Sequence, residues 1–118
     1  MDHAKKIVKL AYQALSDKKG EDIKVIEIGK LSTVADYFII ANGSNIPHVE
    51  SLVDNVEDTL LKEKIHAERI EGVRSSGWIL MDYNDVVIHV FSKEDRLFYD
   101  LERIWRDGKE IDVTEFDV

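Results

Sequence analysis

A chain of 118 residues, 44% hydrophobic and 34% charged, can bury one core and is too short for two. Its formal net charge of −8, from 16 basic and 24 acidic residues, speaks against direct nucleic-acid contact. Neutralising phosphates takes a basic surface, and Lys5–Lys6 and Lys18–Lys19 are short and separate. The absence of cysteine excludes disulfides, thiolate zinc sites and cysteine nucleophiles. An acidic domain suits a basic protein partner instead. Residues 1–20 carry charges throughout with no continuous apolar run, so neither a secretory signal nor a membrane span is expected there. From a bacterial source, the chain would be cytoplasmic.

In chain order, residues 3–18 place Ala4, Ile7, Val8, Ala11, Ala14 and Leu15 on one helical stripe, stopped by Lys18-Lys19-Gly20. Residues 23–28 are β-branched and partly alternating, a strand. Residues 36–41 are apolar on both faces and predict a central strand, ending at Asn42-Gly43-Ser44-Asn45. A helix follows, with Pro47 in its first turn and Val49, Leu52, Val53, Val56 and Leu60 as its buried stripe. Residues 67–71 predict a third strand, and 77–83 and 86–91 two more. Ser92 then caps a helix with Asp95 three residues on. Its inner stripe is Leu97, Leu101 and Ile104, its flanking pairs are Arg96–Asp100 and Glu102–Arg106, and Gly108 ends it. The expected architecture is a single α/β (α+β) domain over residues 1–106, with a mixed sheet of about five strands and flanking helices. Residues 107–118 are expected to be an acidic, partly ordered C-terminal tail.

The segment from Glu71 to Trp105 carries the functional signal. If Asn84-Asp85 is a two-residue turn, Tyr83 pairs with Val86 and the register of both strands follows. One face is then Ile79, Met81, Tyr83, Val86, Ile88 and Val90, which reads as core. The other is Trp78, Leu80, Asp82, Val87, His89 and Phe91, with His89 diagonal to both Trp78 and Asp82. A histidine in an apolar strand is most often a packed one whose ring nitrogens are satisfied nearby. Asp82, just before a turn, is more often a turn stabiliser than an acid. Trp78, at a strand entry beside Ser75-Ser76-Gly77, fits either an interface anchor or a cap over the sheet edge.

Catalysis and metal binding find no constellation. No serine has a nucleophile's context. Asn42-Gly43-Ser44, between a strand and a helix N-terminus, resembles a phosphate-binding turn, but it lacks a P-loop lysine. It also lacks the Asp-x-Asp that a nucleotidyltransferase uses to hold Mg²⁺. A nucleotide-dependent enzyme built on that turn is the alternative reading. His3, His48, His66 and His89 are isolated in sequence, and no His-x-x-x-His or His-x-x-Glu occurs. No cofactor and no metal are expected.

Several motifs occur together: Asp36-Tyr37-Phe38, Asn42-Gly43-Ser44, Glu71-Gly72, Gly77-Trp78-Ile79-Leu80-Met81-Asp82, the run Asp85–Phe91, and Arg96-x-x-Tyr99-x-Leu101-Glu102-x-x-Trp105. In this order, from about Ala4 to Trp105, they resemble the ribosomal silencing factor (Iojap-related) family. That resemblance implies a nucleotidyltransferase-like fold without the catalytic acids. It implies a non-enzymatic protein that binds the large ribosomal subunit through ribosomal protein L-fourteen and blocks small-subunit joining, repressing translation. Relatives in organelles act in large-subunit assembly, and family members can pair as homodimers. The partner contact carries over to Trp78 first, then to Asp82, Arg96 and Tyr99. His89, Phe91 and Glu102 are expected to support that face.

Overall fold

The computed structural model describes residues 3–29, 35–72, 77–94 and 109–111. Its elements are α1 (His3–Asp17), β1 (Glu21–Glu27), β2 (Tyr37–Gly43), α2 (Ile46–Lys62), β3 (Arg69–Glu71), β4 (Trp78–Asp82), β5 (Val86–Ser92) and β6 (Lys109–Ile111). They form one six-stranded sheet of order β3-β4-β5-β2-β1-β6. Among the described strands the β2–β5 pair is parallel and the other four pairs are antiparallel. The sheet is mixed, as expected, with one strand more than the five anticipated. The sixth comes from Lys109–Ile111, which pairs with β1.

The two central strands are the two most completely buried ones. Every residue of β2 is buried, as is β5 from Val86 to Phe91, which is what a strand flanked on both edges and covered on both faces requires. Both helices pack on one face of the sheet. The stripes expected for α1 and α2 are the buried ones, and they meet Val25, Ile39, Ile79, Met81, Ile88 and Val90. On the opposite face Ile26, Ile28, Ala35, Phe38, Ile40, Val87 and Phe91 form a second cluster, with Trp78 and Leu80 at its border.

The hairpin register is the expected one. Trp78 opposes Phe91, Leu80 opposes His89 and Asp82 opposes Val87. The Tyr83 N–H donates to the Val86 carbonyl at 2.9 Å, closing the two-residue turn. Asn84 adopts φ 74°, a left-handed conformation that Asn tolerates better than most residues.

Helix α2 starts as its sequence predicts: Asn45 Oδ1 accepts the His48 N–H at 2.8 Å, with Pro47 in the first turn. Both helices end in a Schellman turn. The Gly20 N–H donates to Leu15 O at 2.7 Å, and the Ile65 N–H to Leu60 O at 2.9 Å. The left-handed residue is a lysine in each, Lys19 and Lys64, both at φ 60°. Gly20 serves a different need: a Cβ there would lie 2.9 Å from the Leu15 carbonyl oxygen and 3.2 Å from Leu52. Of the helix expected after Ser92, Lys93 and Glu94 are helical. The rest of that expectation, Asp95 to Gly108, lies outside the described residues.

A side chain in the left-handed region costs about 1–2 kcal/mol, against about 0.5–1 kcal/mol for the extra backbone entropy of glycine. Lys19→Gly and Lys64→Gly are therefore each expected to stabilise the fold, by up to about 1 kcal/mol. Urea unfolding midpoints check this; a drop on either substitution would contradict the left-handed assignment.

Candidate partner-binding site

Trp78 opens β4 and His89 sits at the middle of β5, diagonal to it across the hairpin. The Trp78 Nε1–H donates to His89 Nδ1 at 3.2 Å. That bond fixes the imidazole as the tautomer with its proton on Nε2, because Nδ1 must offer a lone pair. Phe91 stacks on the indole with ring centroids 5.2 Å apart and planes 26° apart. Phe38, from β2, meets His89 edge-on at 4.9 Å. The indole is thus held at its polar end by one side chain and along its face by another. It remains half-buried, with Leu80 next to it on the same face.

His89 is 4% exposed, and its Nε2 finds no hydrogen-bond partner among the described residues. Burial pushes its pKa down from 6.5 to about 4, because a charged ring would lose its water without gaining a counter-charge. His89 is therefore neutral at physiological pH. Of its two ring nitrogens, Nδ1 is paired with the indole.

Asp82 shares the face but not the cluster. Its Oδ1 accepts the Asn84 N–H at 2.8 Å, and its Oδ2 lies 3.4 Å from Arg69 Nε, which also pairs with Glu71 at 3.3 Å. It stabilises the turn and joins β3 to β4. Four residues along a strand separate it from Trp78 by about 13 Å. Arg96, Tyr99 and Glu102 lie outside the described residues.

Two contributors carried no signal in the reading of the hairpin. Phe38 reaches His89 only because β2 lies parallel beside β5, with Ile40 opposite His89. Gly72 takes φ 104° at the end of β3, where a Cβ would sit 2.5 Å from the Trp78 carbonyl oxygen. Only glycine lets that chain pass so close to the tryptophan.

The Gly43-Ser44 turn has its donors committed. The Ser44 N–H goes to His48 Nδ1 at 2.9 Å, the His48 N–H to Asn45, and His48 Nε2 reaches the Lys18 carbonyl at 2.8 Å. Gly43 is needed for packing: a Cβ would be 2.9 Å from the Val49 nitrogen. This turn clips α1 to α2, and an incoming phosphate would have to displace those bonds. Among the described residues, no three His, Asp or Glu side chains are grouped to hold a metal ion.

The His89 shift has a definite pH consequence. The unfolded chain binds the extra proton below about pH 6.5 and the folded protein only below about pH 4. The stabilisation is thus complete above pH 6.5 and is lost as pH falls toward 4, amounting to roughly 3 kcal/mol. Urea unfolding at pH 7 and pH 4.5 is expected to show a smaller loss for His89→Gln than for the unsubstituted protein, by about 2 kcal/mol. Equal losses would show that His89 does not carry that proton.

Comparison with known proteins places the chain as a whole. A sequence model described as "Ribosomal silencing factor during starvation" matches residues 1–118. The ribosomal silencing factor RsfS of Bacillus subtilis is 37% identical over 109 residues, covering 92% of each chain. A mouse protein named "Mitochondrial assembly of ribosomal large subunit protein 1" is 28% identical over 109 residues, covering 88% of this chain and 48% of that one. A crystal structure from Chromobacterium violaceum superposes with a TM-score of 0.85 at 33% identity, covering 99% of this chain and 94% of that one. This chain belongs to the ribosomal silencing factor family.

Proposed function

We propose that the protein binds the large ribosomal subunit through ribosomal protein L-fourteen and, once bound, occludes the surface where the small subunit docks, repressing translation. The observation that carries this reading is the half-buried Trp78, clamped by His89 and Phe91 at the end of a strand. A large aromatic held in one orientation loses little freedom on binding, which is how interface anchors gain affinity. The net charge of −8 suits a basic ribosomal protein and disfavours extensive contact with RNA. Occlusion needs a bulky domain and a firm attachment, and no reaction chemistry. The mouse relative's name, with its reference to the large subunit, supports the choice of subunit.

In this reading Trp78 is the anchor, with Asp82, Arg96 and Tyr99 as further contacts and His89, Phe91 and Glu102 as the support beneath them. The site of action is the cytoplasm, and neither cofactor nor catalysis is involved.

Truncating a central aromatic anchor costs about 2 kcal/mol or more, or roughly 30-fold in affinity. Trp78→Ala is therefore expected to lose co-sedimentation with purified large subunits while keeping its circular dichroism spectrum. The unsubstituted protein should slow formation of joined ribosomes from separated subunits, and the variant should not. Undiminished co-sedimentation of Trp78→Ala would refute the reading.

A further inference from the structure

Phe38 is 7% exposed and has too little surface to serve a partner directly. Its place in the sheet gives it another use, because the register sets three rings on one diagonal. Trp78 lies on β4 level with Phe91, one strand to one side of His89 and two residues toward one end of β5. Phe38 lies on β2 level with Val87, one strand to the other side and two residues toward the opposite end. The imidazole between them offers its Nδ1 lone pair to the indole at 3.2 Å. It meets Phe38 with ring centroids 4.9 Å apart and planes 64° apart.

The distances decide how much this backing matters. A bond of 3.2 Å is at the long end of the ordinary range. A retreat of the imidazole by about half an ångström would take it out of reach. The other nitrogen, Nε2, does not fix the ring, since it has no hydrogen-bond partner among the described residues. Packing must hold the ring forward, and Phe38 is its nearest described ring, at 4.9 Å against 6.0 Å for Trp78 and 6.3 Å for Phe91. Ile40 separates this role from plain packing. It is fully buried on the same strand, in the same cluster and directly opposite His89, but off the diagonal.

We propose that Phe38 is the positioning residue of the Trp78 anchor, acting through His89: its ring backs the imidazole, which in turn holds the indole. The proposal rests on the reading that the partner docks at Trp78. It deepens that reading by placing control of the anchor's orientation on a buried residue two strands away. Loss of this support returns the ordering of the indole to the moment of binding, which corresponds to about two- to tenfold in affinity.

Phe38→Leu keeps the site apolar but removes the ring, and Ile40→Val trims a neighbour of similar burial. In ¹H–¹⁵N spectra of the free protein, the Trp78 indole N–H is the signal that Trp78→Phe removes, which separates it from Trp105. Phe38→Leu is expected to shift that signal and to speed its exchange with water by about fivefold or more, and Ile40→Val to leave the rate within about twofold. In co-sedimentation with purified large subunits, Phe38→Leu is expected to bind about fivefold more weakly and Ile40→Val within about twofold. Should Phe38→Leu fail to fold, judged by its urea transition, Phe38→Met takes its place with the same expectations. An unmoved indole signal in the Phe38 variant, or equal changes in the Ile40 variant, would overturn the proposal. So would a moved signal with undiminished binding alongside a loss in Trp78→Ala, and the docking reading would then stand. Undiminished binding by Trp78→Ala would overturn both.

Discussion

The arrangement depends on the register of one hairpin. Side chains alternate with a period of two, so a slip of β4 by one residue against β5 would turn Trp78 and Leu80 toward the helices and send Ile79 and Met81 out of the core. Two features prevent it. The turn is as short as an antiparallel hairpin allows, with Asn84 left-handed and its N–H held by Asp82. The Asp85 carbonyl also accepts the N–H groups of Asp36 and Tyr37, at 2.8 and 3.1 Å, which ties the turn to the start of β2. The same residue thus sets the antiparallel partner on one side of β5 and the parallel partner on the other, from Tyr37↔Val86 through Gly43↔Ser92.

This explains which parts of the fold could be read from sequence. The hairpin was legible to the residue because loop length and alternation fix register locally, and helix stripes were legible because their period is local too. The parallel pairing of β2 with β5 was not. It joins segments separated by a whole helix and two strands, and nothing in either strand names its neighbour. The sixth strand was hidden for a related reason, since Lys109–Ile111 is three residues long and mostly polar. The lysines in left-handed turns were visible only as helix stops, because the sequence offers a glycine next door and that glycine answers to packing instead.

The site divides along the same line. Trp78, His89 and Phe91 were brought together by the register alone, and they touch. Asp82 was placed on the same face correctly, but a shared face is not a shared site; four residues of extended chain carry it to the far end of the strand. Its bonds to Asn84 and Arg69 are those of a turn. Phe38 and Gly72 complete the surroundings of the tryptophan through a parallel neighbour and a positive φ, neither of which leaves a local trace in the sequence.

A buried histidine with one nitrogen unpaired among the described residues is a poor choice for stability. An unsatisfied donor costs about 1–3 kcal/mol, and an aliphatic residue in its place would cost nothing of the kind. What an aliphatic residue could not do is accept the indole N–H. Without His89 Nδ1 the half-buried tryptophan would lose the acceptor that fixes its polar end while Phe91 holds its face. Ordering a mobile side chain at an interface costs about 0.5–1.5 kcal/mol at the moment of binding. In the proposed reading the fold meets that cost in advance, inside the domain, so that a partner would encounter an aromatic surface already in place. A protein acting by occupying a surface would depend on residence time, and a preformed anchor favours slow release. On that reading the destabilising feature of the core and the binding feature of the surface are one hydrogen bond seen from its two ends.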